Sequence, residues 1–368
     1  MTEPFELFDE LGPEKTIHIN DPSTGLKAIL VIDNVAAGPA IGGCRMAVDV
    51  SLDECARLAR AMTLKNAAAG LPHGGGKSVI VGDPKMPRDE KERLIRSFAH
   101  AIKDIEDYIV GPDMGTDEIC MAWCHDVIGR AVGLPREIGG IPLDLIGATG
   151  FGLCASIEVA SEFCDLDLNG ATFVVQGYGS VGIHVARFLA EKGAVLIGAA
   201  DIYGGVLDPN GLDVSALMEI KGRGGKVQDL DSGQRIDRDD VIDIECDIWI
   251  PAARPDVIHM ENVHRIKTKI LAEGANIPAS PAAEAALEKR GTLILPDFIA
   301  NAGGVICGAV EFGGRGEVQA MSSIADKVAS NTRSMLERAK SEGISSRQAA
   351  MDMALERVRL AMSYRKTN

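Results

Sequence analysis

The sequence predicts an α/β protein of two domains, and three observations carry that prediction. Its 368 residues are many for one core and suit two, each with a sizeable interior. Residues 172 to 201, "TFVVQGYGSVGIHVARFLAEKGAVLIGAAD", run from a β-rich segment through a glycine turn and an amphipathic helix into a second β-rich segment, the pattern of a β-α-β unit. Forty-one glycines and only 4% aromatic residues suit tight turns and close helix-to-sheet contacts. We expect a first domain over residues 1–140, completed by a C-terminal helix at 341–368, and a second over 141–340, with a cleft between them.

In the first block, "KTIHIN" and "LKAILVIDN" read as strands, followed by "GPAIGGCRM". In "LDECARLARAMTLKNAAAG", Leu52, Ala56, Leu58, Ala59, Met62 and Thr63 fall near helical spacing, and Gly70 stands where a helix is capped. The next stretch, "GLPHGGGKS" at residues 70 to 78, ends like a phosphate-binding loop. Its spacing fails, because Leu71 occupies the place of the first glycine. Its context fails too, since that loop runs from strand to helix, whereas here a helix leads through a glycine loop into the β-rich "SVIV", stopped by Gly82-Asp83-Pro84. Lys77 therefore calls for another role. "YIVGPDMGTDE" then sets Asp113 among glycine and proline after a strand, a usual place for a working carboxylate.

The β-α-β unit carries the strongest motif. Gly177-x-Gly179-x-x-Gly182 sits between strand and helix, where the first glycine turns the chain, the second admits a pyrophosphate and the third lets helix and strand pack closely. The helix N-terminus then faces the anion. Tyr178, Ser180 and Val181 complete the turn. Asp201 ends the second strand, where a carboxylate accepts hydrogen bonds from ribose hydroxyls and repels a 2′-phosphate, so NAD is the expected cofactor. Ile202 follows it. The runs "DDVIDIECDIWIPAA", "TKILAEGAN" and "GTLILPDFIANAGG" read as further strands, which puts Ala252, Asn276 and Asn301 at the ligand-facing edge; either asparagine also suits a turn. Residues 324 to 368 read as mostly helical. No internal repeat is visible.

A formal charge of −15 and a pI near 5.0 argue against nucleic-acid and anionic-membrane partners. No apolar run reads as long enough to span a bilayer, and the acidic N-terminus lacks a signal-peptide core, so a cytoplasmic protein is expected. The eight cysteines are scattered without zinc spacing, so we expect reduced, mostly buried thiols and no metal site. Lys65, near the end of its helix, and Lys77 invite a shared role at a small ligand. Mutual repulsion and burial would let one serve as a base while the other binds an anion.

Taken together, "GPAIGGCRM", "AMTLKNAAAGLPHGGGKSVIVGDP", "GPDMGTDE", "ATGFG", "VQGYGSVG", "AEGAN" and "NAGGVI" resemble, in order and spacing, the glutamate/leucine/phenylalanine/valine dehydrogenase family over nearly the whole chain. "GLKAILVIDN", "GPAIGG" and "MTLKNAAAGL" look nearest to leucine dehydrogenase, whereas "PDMGTDE" and "AEGAN" look nearer the glutamate branch. The resemblance implies an N-terminal α/β substrate and oligomerisation domain, a Rossmann NAD-binding domain, a homo-oligomer, and interconversion of an L-amino acid with its 2-oxo acid and ammonia. By motif, Lys65 would bind the α-carboxylate, Lys77 would be the general base that activates water, and Asp113 would assist proton transfer. Thr149 would hold the nicotinamide carboxamide, and Asn276 and Asn301 would lie near its ribose and the substrate. Ile41, which precedes the paired Gly42 and Gly43, and Gly308 occupy the positions where glutamate dehydrogenases carry the lysine and the serine that hold the γ-carboxylate. Ile41, Met62 and Val305 would then make an apolar wall. The resemblance implies a leucine-, valine- or isoleucine-like substrate, with an aromatic one left open by Gly308.

Overall fold

The computed structural model describes residues 4–365. The chain divides into two compact units, one of Met1–Leu143, Val305–Ser323 and Met351–Asn368, the other of Asp144–Gly304 and Ile324–Ala350.

Unit 1 is a five-stranded mixed sheet with helices against it. Its strands are β1 (Lys15–Asp21), β2 (Leu26–Asn34), β3 (Ala40–Ala47), β4 (Gly74–Val81) and β5 (Tyr108–Pro112), and its helices are α1 (Leu52–Ala68), α2 (Arg88–Ala101) and α3 (Glu118–Ile128). The sheet order is β1-β2-β4-β3-β5, with β3 parallel to both neighbours. Ser51 caps α1 through the Glu54 amide, and Gly70, with φ +60°, turns the chain just beyond its end. The glycine run holds the main departure from expectation. "GGGKSVIV" is a strand throughout, buried up to Ile80, so Lys77 sits in β4 and not in a loop. Bare backbone is what α1 and β2 require there: a Cβ on Gly75 would fall 2.0 Å from the Thr63 amide nitrogen of α1, and one on Gly74 1.8 Å from the Asn34 carbonyl oxygen of β2.

Unit 2 is a seven-stranded sheet. Its helices are α4 (Leu143–Ile146), which begins at the boundary, α5 (Ala148–Phe163), α6 (Ser180–Glu191), α7 (Val214–Gly222), α8 (Pro281–Glu288) and α9 (Asp297–Ala300). The strands are β6 (Thr172–Gln176), β7 (Val195–Asp201), β8 (Gly204–Leu207), β9 (Gln234–Ile236), β10 (Cys246–Pro251), β11 (Thr268–Ala272) and β12 (Leu293–Leu295), in the order β12-β11-β10-β6-β7-β8-β9. The five strands from β12 to β7 are parallel; β8 and β9 extend the edge antiparallel. The topology reverses between β6 and β10, the place where such sheets bind ligands. The "DDVID" start of the run expected as strand lies in a 3-10 helix at Arg238–Asp243.

Three helices complete the chain: α10 (Gly303–Phe312), α11 (Glu317–Glu342) and α12 (Ser346–Ser363). Val305–Ser323 belongs to unit 1, not to the second block as the sequence suggested, and Glu311 accounts for this by accepting the Leu134 and Ile141 amides at 3.0 Å each. Residues through Ala350 belong to unit 2, into which Arg347 is tied. The helical stretch Leu143–Phe163 is long and apolar enough to cross a membrane by length and composition, which the sequence reading overlooked. Two-thirds of its most apolar window (67%) is buried inside the protein.

Candidate functional site

The strand order of unit 1 explains how its charged residues meet. β3 lies between β4, which carries Lys77, and β5, which Asp113 directly follows. Side chains on β3 would obstruct that crossing, and glycines stand there: a Cβ on Gly43 would lie 2.8 Å from the Asp113 Cβ, and one on Gly42 1.7 Å from the Gly76 carbonyl oxygen. Lys77 Nζ thus donates to Asp113 Oδ2 across the gap. Asp113 Oδ1 accepts from Arg45 Nε at 2.8 Å, and Arg45 reaches on to Glu54 Oε1 at 2.5 Å. Burial pushes the Asp113 carboxyl up, but Lys77 and Arg45 outweigh it and hold its pKa below the usual carboxylate value. The Asp113 amide donates to Thr116 Oγ1 at 3.0 Å, which fixes the turn.

Lys65 lies in the last turn of α1, the helix that packs on β4, and Met62 is half-buried one turn earlier. Asn66 follows, fully buried, and its amide donates to the Gly74 carbonyl at 2.7 Å, which fastens the helix end to the strand. Ile41 packs in an apolar cluster with Ile109, Val132 and Ala309. Gly308 and Gly111 face Val132, each with room for a Cβ at 3.4 Å from its Cγ2. Val305 is half-buried in the same helix as Gly308.

In unit 2 the glycines of "GYGSVG" form the tight turn between β6 and α6. Gly177 has φ +98° and its Cβ would strike Ala253 at 2.5 Å, Gly182 packs against the Gly177 carbonyl, and Gly179 has nothing within 4 Å. Gly179 precedes Ser180 and Val181 at the start of α6, and the Ala252 amide donates to the Gln176 carbonyl at 2.7 Å. Asn301 donates to Asn276 Oδ1 at 3.1 Å and to the Gly274 and Ala275 carbonyls, so the two asparagines meet at one edge. Gln176 Oε1, Tyr178 Oη and Asn301 Oδ1 are buried without partners, which leaves polar capacity beside the strand ends. An open glycine turn, a helix N-terminus and orphaned polar atoms together fit a dinucleotide. Thr149 stands in the first turn of α5, and a Cβ on Gly303 would touch its Cα at 3.1 Å.

Asp201 ends β7 as expected, but its carboxylate is engaged. Oδ2 accepts from Lys221 at 2.8 Å and from the Val227 amide at 3.0 Å, and Oδ1 from the Tyr203 amide at 2.9 Å. Burial opposes its ionisation and these donors prevail, so its pKa is lowered. Ile202 beside it is 74% exposed.

Sequence reasoning missed Arg45, Glu54, Val132, Gly111 and Lys221. An arginine amid the apolar residues of "GGCRM" was the one available signal, because a charge in a buried strand needs a partner. Among the described residues no group of His, Cys, Asp and Glu is arranged to hold a metal ion.

Unit 2 is a doubly wound fold of the kind that binds nucleotides, and unit 1 carries a lysine–carboxylate pair with a buried ammonium group. The family model for glutamate/leucine/phenylalanine/valine dehydrogenases matches residues 139–366, and the model for the dimerisation domain of that family matches residues 13–130. The chain belongs to this family of amino acid dehydrogenases, which act on small molecules with a pyridine nucleotide. It is 39% identical over 356 residues to a glutamate dehydrogenase of Aeropyrum pernix, covering 90% of this chain and 85% of that one. It is 35% identical to an NADP-specific glutamate dehydrogenase of Saccharolobus shibatae, covering 90% and 83%. Among solved structures, the hetero-hexameric glutamate dehydrogenase of Thermus thermophilus in a leucine-bound form matches with TM-score 0.87 and 29% identity over 97% of this chain and 91% of that one. L-tryptophan dehydrogenase from Nostoc punctiforme matches with TM-score 0.76 and 25% identity over 97% and 99%. The leucine dehydrogenase branch expected from the motifs is not the one these relatives represent.

Proposed function

We propose that the protein catalyses the reversible oxidative deamination of an apolar L-amino acid to the 2-oxo acid and ammonia, with NAD preferred. The observation that carries this reading is the Lys77–Asp113 pair beside the side-chain-free backbone of Gly42 and Gly43, with the apolar cluster of Ile41 close along the same strand. A substrate γ-carboxylate meeting Ile41, Ile109 and Val132 would lose its hydration to an apolar wall, at a cost of several kcal/mol. Leucine-like side chains suit that wall. Gly111 and Gly308 leave room facing Val132, and this favours, as a second reading, an aromatic substrate.

In this reading Lys65 binds the α-carboxylate and so fixes the orientation of Cα. Lys77, once its own proton has passed to Asp113, takes a proton from the water that attacks the iminium carbon. Asp113 receives protons from Lys77 through the contact of Nζ with Oδ2 and returns them when ammonia leaves. Ile41, Met62, Val305 and Gly308 shape the side-chain pocket. The nicotinamide, when bound, supplies the hydride acceptor. Residues Gly177 to Gly182 cradle its pyrophosphate, Thr149, Asn276 and Asn301 meet the nicotinamide side, and Ala252, Asp201 and Ile202 meet the rest of the nucleotide. Lys221 offsets part of the Asp201 charge, so NADP is accepted with a higher KM. We read unit 1 as the substrate and assembly domain of a homo-oligomer and unit 2 as the nucleotide domain.

The test is initial reduced-nucleotide formation at alkaline pH over a panel of L-amino acids, with NAD and NADP in parallel and Lys77→Ala beside the parent. Turnover on aliphatic or aromatic amino acids, at least about a thousandfold lower in the variant while nucleotide binding persists, is expected for loss of a general base with its water. Near-parental kcat in the variant, or glutamate as the best substrate, overturns the reading.

A further inference from the structure

Arg347 stands in the first turns of α12 and is the centre of a buried ionic knot in unit 2. Its Nη2 donates to Glu273 Oε2 at 2.7 Å, its Nε to Glu284 Oε2 at 2.6 Å and its Nη1 to Asp297 Oδ1 at 3.2 Å. All three carboxylates are buried, Glu273 completely. One guanidinium against three buried carboxyls is an expensive arrangement, and burial together with Glu284 pushes the Glu273 carboxyl well up. A hydrophobic cluster would fill this space at less cost, so the arrangement calls for a reason beyond stability.

The reason lies in what the carboxylates hold. Glu273 directly follows β11, within "AEGAN", and Asp297 opens α9, which leads to Asn301. Glu273 Oε2 also accepts the Asp297 amide at 3.0 Å, and Asp297 Oδ2 accepts the Ile277 amide at 2.9 Å. Ile277 has φ +49°. A β-branched residue in the left-handed region is strained by about 1–3 kcal/mol and persists only where its surroundings over-determine it. The surroundings here are Asp297 on the Ile277 amide and the Asp256 amide on the Ile277 carbonyl at 3.0 Å. The neighbour of this strained residue is Asn276, whose Oδ1 accepts from Asn301. A chain of contacts therefore runs from Arg347 through Asp297 to Ile277, and the turn it fixes presents Asn276.

We propose that Arg347 is a positioning residue for nucleotide binding, holding the strained Ala275–Asn276–Ile277 turn and the start of α9 so that Asn276 and Asn301 stand together at the sheet edge. The proposal rests on the reading of that edge as the nicotinamide side. It assigns to a helix remote in sequence a control over nucleotide affinity that neither motif displays.

Binding of NAD and NADH is measured by fluorescence titration for the parent, Arg347→Met and Arg347→Lys, with thermal unfolding of each followed by circular dichroism. Arg347→Met is expected to weaken nucleotide binding at least about tenfold at a temperature where it is fully folded, because removing the support of a binding turn displaces its contacts. Arg347→Lys keeps one ionic contact and recovers part of the loss. The KM for the amino acid, by contrast, should move little. A lowered unfolding temperature with parental nucleotide affinity makes Arg347 a structural residue only and overturns the proposal. If Arg347→Met does not fold, Asp297→Asn answers the same question. Its amide has one acceptor oxygen for two donors, Arg347 and Ile277, so parental affinity in that variant is equally fatal. A parent that binds no nucleotide refutes the underlying reading of the edge instead, and the two failures are thereby told apart.

Discussion

At the scale of single residues, Asp113 mediates between two cations of different use. Lys77 is the reactive partner in the proposed mechanism, whereas Arg45 is permanently charged and ties Asp113 back to Glu54. If turnover needs Asp113 ionised, Arg45 sets the lower end of the working pH range. Removing it leaves burial less opposed, so the carboxyl is protonated at higher pH. Arg45→Gln should therefore shift the acid limb of the kcat/KM profile to higher pH and lower its plateau on the order of tenfold. An acid limb that stays in place would show that Arg45 merely braces the strand. The sequence made Lys77 and Asp113 visible because charged residues among glycines stand out, and Lys65 through the motif at its helix end. It concealed Arg45, because its partner lies 68 positions away and only strand order brings them together. Asp201 illustrates the opposite case. Its place at the strand end was legible, but its occupation by Lys221 and two amides depends on residues up to 26 positions downstream.

Among elements, the instructive pair is α1 against β4. The helix was legible from its apolar spacing, and the β-α-β unit from its glycine turn, because both patterns are local. The strand "GGGKSVIV" read partly as a loop, since three glycines are poor strand formers and carry no alternation. What overrides that preference is the close approach of α1, which excludes any side chain at Gly75. Gly75→Ala should cost about 1–3 kcal/mol as α1 is driven off the sheet, measured as a lower urea midpoint. Gly222→Ala, at the end of α7 with nothing within 4 Å, serves as the control and should leave the midpoint unchanged or raise it. Equal midpoints for both variants would mean that α1 yields freely. The helix α5 was silent to periodicity for a different reason. It is buried on most sides, with ten of its sixteen residues inside, so it has no polar stripe to betray its period.

For the whole molecule, the division into units was only partly legible. The block boundary near residue 140 followed from the change of pattern, but Val305–Ser323 joined unit 1 through Glu311, a capping contact that no local motif announces. The family was more readable than the division into units, since the glycines and charges of its motifs cluster in short words, whereas packing partners are dispersed. The cysteines belong to this scale as well. All eight are free, seven are buried, and Cys164 is half-buried. Burial drives the thiols upward, to about 12 for Cys44, Cys154, Cys246 and Cys307 alike. At neutral pH such groups are almost wholly un-ionised and shielded, so a thiol reagent reaches them only when the chain opens. Cys164 should therefore be labelled first and alone; rapid modification of all eight in native buffer would contradict this packing. The same chemistry turns the molecule into its own stopwatch. Cys44, Cys120 and Cys124 time the opening of one unit and Cys154 and Cys246 that of the other, so peptide-resolved alkylation rates can reveal which half breathes faster without a single engineered probe.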